Sequence, residues 1–584
     1  MANATMAERR AAMRSAHAQR YEYAFEPAAR PPPLPPAPPS APRTPRIPTP
    51  TPPSELPRNW RELPTPPAWV RAYQRLTYGI VPGAQAAFNA LGANDIARYE
   101  AMVDQQLAWE SISDGAVEAR LRSSGFTTLD KTLPQLWADH VVNGAEYGGR
   151  MRPAFEVQRA TLVRATHSPR QLFERMVNFW NDHFNVSVTD YDAGPLFMHY
   201  NRNVMRGNAL GNFRAMLEAM ARSTSMMYYL DNRSNTRNGP NENFARELLE
   251  LHTMGAENYL GFTLPSNVPP CPEDPAYPIG FTDIDVYETA AAFTGWTVNT
   301  GASGNGNFLY RESSHDPGPK FLLGLILPPS QPALKDGRDV LDRVATHPRA
   351  AKFICRKLIR HFGTDTPSQA LIDSAAVIFR ANWQAPDQIR ITLRHILKSA
   401  EVRDGWGRKR RRPAELYIAA MRTAGADFTV RPDNGRSNDI INRLGVAGHA
   451  PHDWAAPNGF PDIATAWSGA NSFVMTWKLM TWLAEANDDG LRLLQVVELS
   501  QAQVSSWTAR NLVEFWCKRI LGYLPGSNRV QVLVDFMAQN GSTESFVIAN
   551  TNEWKAGDLK AHYNHDRLRN MVSMVLMSPE LFQR

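Results

Sequence analysis

From Trp69 onward apolar residues recur at helical rather than alternating spacing, in segments of about 12–20 residues punctuated by Gly, Pro and Asn. The pattern predicts an all-α body: a large irregular helical domain with long loops. No internal repeat of fixed period appears, so a solenoid is not expected. Two stretches break the pattern, at about 256–281, rich in proline, and about 297–337, rich in glycine and proline. Loops of such length in a compact body tend to carry function.

Two helices are the most informative. Between Ser168 and Val186, the residues Phe173, Val177, Trp180 and Phe184 fall at i, i+4, i+7 and i+11 and form one stripe, with His183 at its border. An imidazole there is a metal ligand, a general base, or a histidine satisfied by a neighbouring carbonyl. Between Asn238 and Gly255, Phe244, Leu248 and Leu251 form the stripe, and Asn243, Glu247 and Glu250 follow its edge. Two carboxylates one turn apart suit an oxygen-rich metal site or an acid/base pair, or simply a solvated edge. Glu242 and Arg246 are expected to pair on the opposite face.

A third cluster lies in a loop, Ser314-His315-Asp316-Pro317-Gly318-Pro319-Lys320, which offers acid, base and cation within one turn. An Asp-Pro-Gly turn capped by its own carboxylate accounts for it equally well. Asp285 with Glu288 reads as a capping box. Arg356, Lys357 and Arg360 read as a solvated face, with anion binding as the minor alternative. His449 and His452 flank Pro451, which disfavours the helix that would align them as ligands.

Composition narrows the classes. At 584 residues and 43% hydrophobic, the chain can build a sizeable core. Its longest apolar run, Phe321 to Leu327, falls far short of the roughly 18 residues of a membrane span. Three scattered cysteines, Cys271, Cys355 and Cys517, supply no disulfide framework or CxxC pair. The net charge of +6 is concentrated ahead of the body, since residues 1–60 hold eight Arg against four acidic residues. A nearly neutral body argues against a nucleic-acid binder; only Arg408 to Arg412 forms a basic run, expected as a solvated loop or partner contact. Residues 1–66 read as a disordered Pro-rich tail or linker ahead of a domain over 67–584. Limited proteolysis is therefore expected to leave a core that begins near Trp69, and deletion of the tail to leave the melting temperature unchanged. No Walker A loop, GxGxxG after a strand, GxSxG elbow or HExxH is present.

Taken in order, Phe179-Trp180-Asn181-Asp182-His183-Phe184, Leu210-Gly211-Asn212-Phe213, Tyr229-Leu230-Asp231-Asn232, Asn241 to Leu251, Asp285 to Trp296 and His315 to Lys320 resemble the serial motifs of the bacterial DUF1800 family. Ala351 to Phe362, Arg412-Pro413-Ala414-Glu415, Trp454 to Trp467 and Ser578-Pro579-Glu580 are similar to its C-terminal blocks. The resemblance implies a protein without an assigned activity, of an exported or cell-surface kind, encoded beside a sulfatase-like DUF1501 protein that would be its partner. No signal peptide is visible in this chain, and a Pro-rich insertion around Cys271 is expected to cover or reshape a pocket. Combined with the residue patterns, the resemblance favours a metal-dependent enzyme, hydrolytic or oxidative, acting on a cell-envelope substrate. Its pocket would comprise His183, Asp231, Asn243, Glu247, Glu250, His315 and Asp316. His183, Glu247, His315 and Asp316 are the catalytic candidates; His183, Asp231, Glu247, Glu250 and His315 would hold Ca²⁺, Mn²⁺ or Fe²⁺. The alternative is a non-catalytic envelope scaffold in which the same residues form a buried hydrogen-bond network.

Overall fold

The computed structural model describes residues 63–144, 146–301, 303–539, 547–552 and 563–584. Most of the expected tail, residues 1–62, thus lies outside the described residues. The first described helix is Ala68–Leu76. Helices carry the described body, and its strands form only four two-stranded antiparallel sheets. The all-α reading holds.

Both irregular stretches fold into hairpins. Pro270–Cys271 pairs with Asp274–Pro278, Trp296–Val298 with Phe308–Tyr310, and Lys320–Leu322 with Leu325–Leu327. These pairings supply backbone partners where proline and glycine exclude helix. The Pro-rich hairpin around Cys271 lines one wall of a 990 Å³ cleft through Glu273 and Tyr277. Between the hairpins, helix Asp283–Ala292 is opened by a capping box. Its members are Thr282 and Asp285 rather than Asp285 and Glu288, because the helix starts one turn earlier than the apolar spacing suggests.

Helix Gln171–His183 runs through the core. Phe173, Val177, Trp180 and Phe184 are all at most 3% exposed, as predicted, but so are Leu172 and Met176 on neighbouring faces. A helix buried on nearly every side must neutralise its polar residues internally. Glu174 accepts two hydrogen bonds from Arg206, at 2.7 and 2.8 Å. Arg175, fully buried, lies 4.6 Å over the Phe362 ring.

The second informative helix is shorter than its pattern. Glu242–Glu247 is α-helical and continues as the π-helical segment Leu248–Thr253, where the amide of Met254 reaches back to the carbonyl of Leu249. Such widened turns are rare and are found frequently at functional sites. This one carries His252 into the core.

The Arg408 to Arg412 run is not a solvated loop. Arg408 is exposed, but Lys409, Arg411 and Arg412 are at most 4% exposed. They are drawn inward because carboxylates and carbonyls await them: Lys409 bridges Asp365 and Asp462, and Arg411 donates to the carbonyl of Gln583 at 2.9 Å.

Candidate active site

The sequence-predicted residues have the following places. His183 ends its helix inside the core rather than at its border, 1% exposed among the rings of Phe179, Trp180, Phe184 and Phe353. Its Nε2 donates to the carbonyl of His252 at 3.0 Å, the third of its three expected roles. Burial, then the nearby Lys357, drives its pKa far down, so the ring is neutral and Nδ1 keeps a bare lone pair. Glu250 is half-buried and bonded to Arg246 at 3.1 Å. Arg246 also holds Glu242 and Asp283, so its face is charged on several sides rather than simply solvated. Glu247, half-buried, ends the α-helical part. The Tyr229 phenol is pushed up to about 12, mainly by burial, with Asp190 and Glu247 adding to it. Asn243 is half-buried, and its amide donates to Asn241. Asp231 is exposed, in a left-handed conformation at φ 59°.

His315 and Asp316 belong to a built turn. Nδ1 of His315 lies 2.8 Å from the carbonyl of Thr294, and Nε2 lies 3.2 Å from Asp336. Asp316 accepts from the amide of Gly318 at 2.8 Å, the self-capped turn. Lys320, 1% exposed, is fixed by Asp336 at 2.7 Å and by the carbonyls of Asp316 and Gly318. Asp336→Asn is expected to cost about 1–3 kcal/mol by urea titration, because Lys320 keeps its carbonyls but loses its counter-charge. Hydrogen bonds from His315 and Lys320 outweigh burial and hold the Asp336 carboxyl below its usual range. Its contribution is therefore present above the unfolded carboxyl pKa and is lost as pH falls through the folded one.

These placements do not fit one metal ion. Nε2 of His183 is taken by a carbonyl, Glu250 by Arg246, and both nitrogens of His315 by Thr294 and Asp336. Among the described residues, no three His, Cys, Asp or Glu side chains are grouped to hold a metal.

A different centre brings the motif blocks together. Asp182, adjacent to His183, receives Arg412 Nη1 at 2.6 Å. Arg412 opens helix Pro413–Ala424 and donates its amide to Glu415 Oε2 at 2.9 Å. Glu415 also meets Arg584 at 3.4 Å. His361, from helix Pro348–Phe362, binds Asp462 at 2.9 Å, and Lys409 binds the other Asp462 oxygen at 2.7 Å. One turn before His361, Lys357 is half-buried with its ammonium 5.4 Å over Phe353. The loop around Asp462 packs tightly: at Gly459, φ +68°, a Cβ would sit 1.9 Å from the Asp182 carbonyl oxygen. Only glycine fits there. Behind Asp182 is a 40 Å³ polar cavity, room for one or a few waters, reached by Arg412, Glu415, His449 and His452. His449 and His452 are buried and are not helical neighbours; their partners are the amide of Ala414 and the hydroxyl of Thr161.

The electrostatics of this centre are polarised. Burial raises the Asp182 carboxyl, and Arg412 only partly offsets it. Burial lowers Lys357 to about 8, against the pull of Asp182 and Asp462. Burial likewise takes His361 down to about 4 and His252 to about 3, so both rings are neutral. Burial opposes the charge of Asp462, yet Lys409 and His361 hold it well below its ordinary value. Asp182, Asp462 and Lys357 remain partly exposed, whereas Arg175, Lys409, Arg412 and Glu415 are buried. Acid, base and fixed charge thus share one partly open centre.

The expected residues and this centre share one block of the sequence. Asp182 stands beside His183 in Asn181-Asp182-His183, and Lys357 lay in a face read as solvated. The Arg412-Glu415 block carries two charges and the Trp454–Trp467 block only Asp462, and no local spacing links them to Asp182.

Fold and centre together define a helical protein built around a buried ion network. The family model described as "Protein of unknown function (DUF1800)" matches residues 71–584, and the chain belongs to that family. No curated protein and no solved structure matches it. Among the described residues, no helix is long and apolar enough to cross a membrane.

Proposed function

We propose that this chain is an enzyme whose acid–base pair is Asp182 and Lys357. The observation that supports it is the opposite displacement of two partly exposed neighbours: Asp182 is biased toward keeping its proton, and Lys357 toward giving its proton up. Environments that push two titrating groups toward each other are how a site keeps an acid and a base available near neutral pH. Lys357, still an ammonium at pH 7, acts as the general acid and Asp182, ionised beside Arg412, as the general base, while Arg412 and Lys409 supply fixed positive charge. The reaction class is hydrolysis or elimination by proton transfer.

The test is turnover by the full chain on panels of carboxylate-, phosphate- and sulfate-bearing esters and glycosides, over roughly pH 6–10. Activity that falls through about pH 8 and disappears in both Asp182→Asn and Lys357→Met supports the assignment. Activity that survives both substitutions overturns it.

A further inference from the structure

We propose that the 990 Å³ cleft between hairpin Pro270–Pro278 and helices Lys335–Ala345 and Gln369–Ala381 is a binding site for a neutral saccharide chain. Its volume lies at the upper end of ligand cavities, roughly 300–1,000 Å³. It is separate from the Asp182–Lys357 centre and shares no lining residue with the 40 Å³ cavity there.

Charge chemistry selects the ligand class. The cations on the walls already have partners. Lys352 lies 2.5 Å from Glu273 and 2.7 Å from Asp373, and Arg380 donates to Asp274 at 2.7 Å and to the carbonyl of Thr346 at 3.0 Å. Arg343 stacks 3.7 Å over the Tyr277 ring and donates to the carbonyl of Leu323 at 2.9 Å. A charged ligand would have to break these pairs. A hydroxyl-rich neutral one need not, because each carboxylate retains lone pairs beyond those its partner uses. Hydrogen bonds from Cys271 and Lys352 outweigh burial and hold Glu273 below the usual carboxyl range, so it stays an acceptor down to low pH.

The same walls are amphipathic. Half-buried Trp383 offers aromatic surface beside the Arg343-covered Tyr277 ring, and Val377, 68% exposed, offers an aliphatic one. A sugar ring presents hydroxyls at its edge and apolar C–H groups on its face, matching acceptors beside aromatic rings. The geometry is pre-formed in part: Tyr277 is pinned by its hydroxyl bond to Thr346 at 2.9 Å, and the backbone that carries Trp383 is held by its carbonyl, which accepts from Asn212 at 2.7 Å. Fixed walls reduce the ordering cost of binding.

Calorimetry of the full chain with maltohexaose, cellohexaose and chitohexaose, with oligogalacturonate as the charged comparison, tests this. At least one neutral hexasaccharide should bind in the micromolar to low millimolar range, with little dependence on salt. Trp383→Ala should weaken that binding about tenfold. Ala381→Trp, which fills the cleft from an exposed position at the end of its helix, should do the same without removing any packed side chain. Ala381→Trp should melt like the parent. Failure of all three neutral sugars to bind, binding that survives both substitutions, or salt-sensitive binding of oligogalacturonate alone overturns the proposal.

Discussion

Replacing Arg412 with methionine should lower the free energy of unfolding by about 3–5 kcal/mol, the range for removing one partner of a buried pair. Arg412 is 4% exposed and touches Asp182 at 2.6 Å and Glu415 at 3.4 Å. Methionine keeps most of the length and none of the charge. Glu415 retains Arg584, so the loss falls chiefly on Asp182, whose burial already disfavours its ionised form. Urea titration should show a lower midpoint with an unchanged slope. Asp182→Asn in the same chain should restore part of the loss, because the stranded charge is gone; the coupling should exceed about 0.5 kcal/mol.

Lys357→Met should separate function from stability. Its loss should reduce turnover by about 10²–10⁴-fold, the usual contribution of a general acid. Stability at pH 7 should be unchanged or higher, because the folded chain there carries a partly buried ammonium above the Phe353 ring. The proton balance fixes the pH window. With the folded amine at about 8 and the unfolded one at 10.5, the unfolded chain binds more protons between those values. The parent's stability should therefore rise across that window, and the variant should lack that rise. A purely structural network would lose stability on this substitution and show no such difference.

Much of the fold was legible. The stripe Phe173, Val177, Trp180 and Phe184 is buried as its spacing requires, because a continuous α-helix preserves the period that the pattern encodes. The Asn243, Glu247 and Glu250 ridge was not, because the helix widens after Glu247 and Glu250 answers to Arg246 four residues before it. The hairpins in the two irregular stretches are set by long-range packing that local composition leaves undetermined. The site was half legible. The motif blocks include the segments that meet at this centre, but which side chain of each faces it depends on tertiary approach. Asp182 and Asp462 are 280 positions apart and share Arg412 and Lys357 as electrostatic neighbours only in the folded chain.

The acid–base assignment rests on Lys357 more than on any other group. Its amine can be titrated without knowing the substrate, by following the rate at which a small amine-selective reagent labels that residue, resolved by mass spectrometry across pH in the full native chain. The labelling rate of Lys357 should reach half its maximum near pH 8, while exposed lysines of the same molecule follow the ordinary value of about 10.4. A Lys357 profile that coincides with the other lysines would contradict the account.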